Sequence, residues 1–187
     1  MAVKNTGSME PILVSKPKAI IAEVGENTFI FDHILKDSTK ISQDDNTEST
    51  IDNELKDEAI RTNVTLGSYK FETTVEDIQG ELLVNLCGFT KDSVSGKVYA
   101  PSGYIERYAK ITVVLDNGVD VSNNQKYVAQ VLPKVQLNSK LILESLSSSM
   151  AGFSLAGTAK SVKVTDGSNH YDTPMYVDYD FTMPSAG

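Results

Sequence analysis

Tryptophan is absent from this chain, and cysteine occurs once, at Cys87. One cysteine excludes an internal disulfide framework and any multi-cysteine metal site. Cys87 itself reads as a small packed apolar residue ending a helix rather than a reactive thiol. Positive charge is also scarce: 17 Lys and Arg face 25 Asp and Glu, a formal charge of −8. A protein that grips nucleic acid by neutralising phosphates clusters Lys and Arg on one face, and an anionic membrane asks the same; neither partner fits this balance. Long hydrophobic runs are missing too. Ile111-Thr-Val-Val-Leu115 is typical of the longest, far short of a membrane span. The N-terminus, Met-Ala-Val-Lys-Asn-Thr-Gly-Ser, lacks the apolar core of a signal peptide, so synthesis and folding in cytoplasm are expected. The sequon at Asn63-Val-Thr65 then has no consequence.

Chemical motifs are equally sparse. No Gly-rich phosphate loop of either common spacing occurs. Gly152-Phe-Ser-Leu-Ala-Gly157 has the wrong spacing for a nucleophile elbow and lies in a strand context. The two histidines fall in a strand (His33) and in a Gly/Asn-rich turn (His170). The carboxylate pairs Asp44-Asp45 and Asp57-Glu58 sit on a polar segment that does not hold two acids rigidly across a cleft, as glycoside hydrolysis requires. Asp44, Asp45 and Asn46 are candidate calcium ligands, but the alternating acid spacing and turn Gly of a calcium loop are missing. Tyr171, Tyr176, Tyr179 and Phe181 suit either a sugar-binding platform or, at their strand spacing, the packing of a sheet. The tract Ser147-Ser-Ser-Met-Ala-Gly152 suits a flexible loop or a close contact between subunits. No catalytic, cofactor-binding or metal-binding residues are assigned; an enzyme is not expected.

What is present is one β-rich domain over 1–187, with 40% apolar residues to build a core. Residues 1–16 read as an extended arm. Pro17 to Val24 and Thr28 to Leu35 form a hairpin. An acidic segment follows from Lys36 to Glu58; from Asp37 it holds eight acids and two lysines, hence most of the negative excess. It has too few apolar residues for a core of its own, and reads as an assembly loop, disordered alone and strand-like when bound. Ala59 to Leu66 is expected to pair with Ser68 to Thr73, where Tyr69, Phe71 and Thr73 share the buried face. Thr74-Val-Glu-Asp77 matches a capping box and predicts a helix over 74–88, with Ile78, Leu82 and Leu86 inward, Gly80 inside and Gly88 at the C′ position. Strands follow at Lys97 to Ala100, Tyr104 to Leu115, Tyr127 to Leu132, Val135 to Leu137, Leu141 to Leu143, Gly152 to Lys163 and Tyr176 to Met183. Asp116-Asn-Gly118 is the strongest tight-turn signal. The fold class is mainly β: a β-sandwich or partly closed β-barrel with one short flanking α-helix and a long polar loop.

The run Thr39-Lys-Ile-Ser-Gln-Asp-Asp-Asn-Thr-Glu-Ser-Thr-Ile-Asp-Asn-Glu54, then Lys56-Asp-Glu-Ala-Ile60 and Glu81-Leu-Leu-Val-Asn-Leu-Cys-Gly88, resembles the tail tube (major tail) proteins of long-tailed bacteriophages. Contractile-tail and injection-system tubes share the pattern. The resemblance covers about 50 residues and implies a virion protein, assembled in the host cytoplasm, that forms hexameric rings stacked into a hollow tail tube. Its partners would be other copies of itself, the tape measure, tail terminator and distal tail proteins; DNA would pass through the lumen without specific binding. The acidic loop would reach a neighbouring subunit or ring. The alternative is a bacterial β-sandwich module for carbohydrate binding or surface attachment.

Overall fold

The computed structural model describes residues 17–53, 56–76, 79–119, 125–142 and 152–184. The expected N-terminal arm, Asp77, Ile78 and most of the small-residue tract lie outside them. Two β-rich strands open the fold, β1 (Pro17–Val24) and β2 (Asn27–Phe31). Gly25, at φ +60, supplies the left-handed step of their turn. β2 stops four residues short of the predicted end, and Ile34 instead makes an isolated bridge to Val75.

The next four elements redraw the middle of the chain. β3 (Lys40–Gln43) pairs with β6 (Tyr69–Val75), while β4 (Thr47–Asn53) pairs with β5 (Lys56–Thr65). The predicted loop is therefore largely strand. The predicted pairing of 59–66 with 68–73 is incorrect, because β5 turns back onto β4 and leaves both edges of β6 for β3 and β12. The predicted alternation along β6 holds at Phe71 and Thr73, which are buried, and at Lys70 and Glu72, which are exposed; Tyr69 is half-buried, and Val75, predicted in the helix, is buried as the end of the strand.

The helix α1 spans Gly80–Cys87, six residues shorter at its start than predicted. Thr74 and Val75 are claimed by β6, where they pair with Ser154 and Phe153. The capping box is thus unused; Gln79 is the N-cap and makes no side-chain capping bond. Gly80 opens the first turn, where its flexibility is harmless, rather than weakening the interior. Gly88 takes the left-handed C-terminal position at φ +80. Leu82 and Leu86 are the buried residues of the helix. Leu86→Ala is expected to cost about 2–5 kcal/mol, against about 0.5 or less for exposed Glu81→Ala. Urea melts measure both, and equal losses would place the wrong face of α1 inward.

After α1 come β7 (Thr90–Lys91), β8 (Val98–Tyr99), β9 (Tyr108–Val119), β10 (Gln125–Leu137), β11 (Lys140–Ile142), β12 (Gly152–Ala159), β13 (Val162–Asp166), β14 (Asn169–Thr173) and β15 (Tyr176–Phe181). Asp116-Asn-Gly118 does not form the turn between β9 and β10. It lies within β9 at a slip in register, with Gly118 at φ +79 and its N–H donated to Asp116 Oδ1. The Gly152 to Lys163 strand divides in two at Lys160 and Ser161.

The main sheet runs β2-β1-β9-β10-β12-β6-β3, with β11 added to β12 and β15 to β10; all its pairings are antiparallel. β10 belongs to both halves. Residues 127–131 pair with β15 and 135–137 with β12, and the β9 ladder slips between Leu132 and Val135. Pro133 sits in that slip, where a missing backbone N–H and a bend are both tolerated. The sheet folds back on itself between β2 and β12. Phe31 of β2 and Phe153 of β12, far apart in the strand order, meet with ring centroids 6.2 Å apart. Ile20, Ile111, Val113, Leu132, Phe71 and Leu155 join them in one core. The fold is mainly β, antiparallel, with one helix and no closed barrel among the described residues; it fits the sandwich form of the expectation.

Candidate assembly site

The β4–β5 ribbon is a two-stranded sheet of its own. Its ladder runs from Thr47↔Thr65 to Asn53↔Lys56, with slips beside Asp52. A lone two-stranded hairpin is marginal in water and needs a third strand or a packed face. At its root Val64 and Leu66 are 55% and 74% exposed, an apolar pair that the subunit itself leaves uncovered.

The root is fastened by named contacts. The Asp44 N–H donates to Ser68 O at 3.0 Å. The Gly67 N–H donates to Asn46 Oδ1 at 3.1 Å, and Gln43 Nε2 donates to Gly67 O at 3.5 Å. Lys70 Nζ lies 2.8 Å from Asp44 Oδ1. These bonds occupy the calcium candidates otherwise: Asp44 faces a lysine, and Asn46 accepts from Gly67. Among the described residues no three His, Cys, Asp or Glu side chains are grouped to hold a metal ion. Asp57 and Glu58 lie on β5 of the ribbon.

The remaining candidates are dispersed. His33 follows β2 rather than lying in it, exposed, and its carbonyl accepts the Glu76 N–H. His170 is on β14, just past the turn, and its Nδ1 lies 3.0 Å from Thr165 Oγ1. Ser154 of the rejected elbow is buried inside β12. Cys87 packs against the core, and burial pushes its thiol up to about 11, with Arg107 opposing. Two units above the ordinary 9.0 means roughly a hundredfold less thiolate at pH 8. Modification of native protein by a thiol reagent at that pH is therefore expected to run about a hundredfold slower than of the urea-unfolded chain. Equal rates would contradict the buried placement.

The aromatic quartet divides. Phe181 packs with Tyr127 and Met183 on Ala19, Ile21 and Val114, on the sheet face away from the main core. Tyr176 is half-buried. Tyr171 and Tyr179 remain 53% and 57% exposed, and they line an open groove with Asp166, Asp178 and Asp180. A second aromatic cluster escaped the sequence. Tyr108 donates to Glu106 Oε1; Gln136 Nε2 donates to the same oxygen at 3.0 Å and to Tyr104 Oη at 3.3 Å. The Glu106 carboxylate pushes the Tyr108 phenol up, and Lys134 Nζ stands 4.4 Å from the Tyr108 ring centre. The register Gln136↔Tyr108 brings these β9 and β10 residues together.

Sheet edges complete the picture. Among the described residues, β2 and β3 end the strand path, and β15 pairs with β10 alone. No protein-family model matches the chain, and no curated protein matches its sequence.

Proposed function

We propose that this chain is a structural subunit that polymerises, as the resemblance to phage tail tube proteins implies, into hexameric rings stacked as a tail tube. The β4–β5 ribbon is the observation that carries this reading: a two-stranded element with an exposed apolar root acquires its third partner from another copy. The edges that β2, β3 and β15 leave unpaired among the described residues support it, because an unpaired edge is completed by strand addition from a neighbour. The charge supports it too. At −8 per subunit, a wall built from many copies does not retain duplex DNA, whose passage a cationic wall would stall. Tape measure, terminator and distal tail proteins would be its partners in the particle.

Negative-stain images of concentrated protein, and of the native particle it comes from, are the test. Rings or tubes about one subunit thick per layer are expected. A chain that stays monomeric in both would end this reading. A β-sandwich binding module is the second reading, favoured by the exposed faces of Tyr171 and Tyr179. It predicts a monomer whose tyrosine emission changes with an oligosaccharide; with no tryptophan present, that signal belongs to tyrosine alone.

A further inference from the structure

The ribbon leaves the sheet through a contact that admits only glycine. A Cβ built on Gly67 would stand 1.8 Å from the Asp44 carbonyl oxygen and 2.4 Å from its carbon. Both are backbone atoms, so no side chain can swing aside. The φ of Gly67 is not in the left-handed region, so its conformation is open to other residues; the contact itself excludes a side chain. Two chain segments, 43–46 leaving and 66–68 returning, are thus pressed backbone to backbone. Around that point lie the Asp44–Ser68 bond, the Gly67–Asn46 bond and the Lys70–Asp44 ion pair.

We infer that Gly67, with Asn46 and Lys70, is a clasp that sets the angle at which the β4–β5 ribbon leaves the body, and that this angle decides whether a second copy can receive it. The first half of the inference stands on the geometry alone; the second rests on the assembly reading. β3 and β6 lie on one side of the clasp and β4 and β5 on the other. Opening it leaves both ladders intact and changes only how they are joined. Its members therefore act by positioning the ribbon, without themselves touching a partner.

The test compares Gly67→Ala with wild type in a background where Cys87→Ala removes the native thiol. Spin labels go on Glu48→Cys of the ribbon and Lys160→Cys of the body, both exposed. Gly67→Ala is expected to broaden and shift the distance distribution between labels, to leave the unfolding curve nearly unchanged, and to lose tube formation. Asn46→Ala, which removes one bond without adding bulk, is expected to broaden the distribution less. An unchanged distribution in Gly67→Ala would overturn the clasp whatever happens to assembly. A changed distribution with normal tubes would keep the clasp and overturn its role in assembly. Wild-type protein that forms no tubes at all would instead count against the assembly reading, and the label distances would still judge the clasp. Should Gly67→Ala fail to fold, Gly67→Ala is replaced by Lys70→Gln with Asn46→Ala, and the same two readouts apply.

Discussion

Excision of residues 47–65, with Asn46 joined to Leu66 through a short Gly-Ser bridge, is expected to leave a folded monomer that forms no tubes. The cut falls between ladders. β3 keeps its pairing with β6 from Lys40↔Glu72 to Gln43↔Tyr69, and the core residues Phe71, Val75 and Phe153 are untouched. What leaves is a ribbon paired only with itself. Ordering its residues costs about 1–2 kcal/mol each, and a hairpin without a third layer recovers little of that in the free subunit. In a polymer the receiving copy would supply the contacts. Hydrogen exchange follows from the same argument: the amides of β4 and β5 should exchange quickly in the monomer and slowly in the tube. Circular dichroism, sedimentation and negative-stain images together test the excision. Tubes formed by the shortened chain would show that the ribbon is dispensable, and an unfolded product would show that it belongs to the core.

Local pattern revealed the elements whose partners lie nearby or whose two faces differ strongly. β6 alternates cleanly because one face meets the core and the other meets solvent. β1 and β2 are adjacent hairpin strands with a glycine between them. Leu82, Leu86 and Gly88 mark the inner face and the end of α1. Two of the errors share one cause, a strand pairing that outcompetes a local signal. Thr74-Val-Glu-Asp77 is a fair helix cap by composition, yet Phe153 and Ser154 of β12 draw Val75 and Thr74 into the sheet. Asp116-Asn-Gly118 is a fair turn, yet β9 continues to Val119 beside β10 and absorbs the glycine at a register slip. The strand at 59–66 has two possible neighbours. Both are close in sequence, two residues away in β4 and three in β6, and it pairs with β4 while β6 takes β3 and β12 instead. The acid-rich segment 36–58 spans β3 of the main sheet, β4, and the start of β5. Its composition concealed the strands, because polar β4 lacks the apolar alternation that identifies a half-buried one.

Phe153→Ala is expected to lower stability by about 3–5 kcal/mol, the usual cost of truncating a buried phenylalanine. In a domain of this size that is roughly 10 °C in Tm. Phe153 is 1% exposed and lies on β12, between Val75 of β6 and Leu141 of β11. Its ring meets Phe31, which reaches it from β2 at the far end of the strand order. That contact exists only if the sheet folds back between β2 and β12. A flat sheet with the same pairings would keep the two rings several strands apart. The double variant Phe31→Ala/Phe153→Ala therefore tests the fold, since residues in contact couple and distant ones add within about 0.3–0.5 kcal/mol. Coupling of about 0.5–1.5 kcal/mol is expected for an aromatic pair of this kind. Tyr171→Ala, on an exposed ring, serves as the control and should cost about 0.5 kcal/mol or less. Strict additivity of Phe31 and Phe153 in urea melts would separate the two halves of the sheet and with them the sandwich.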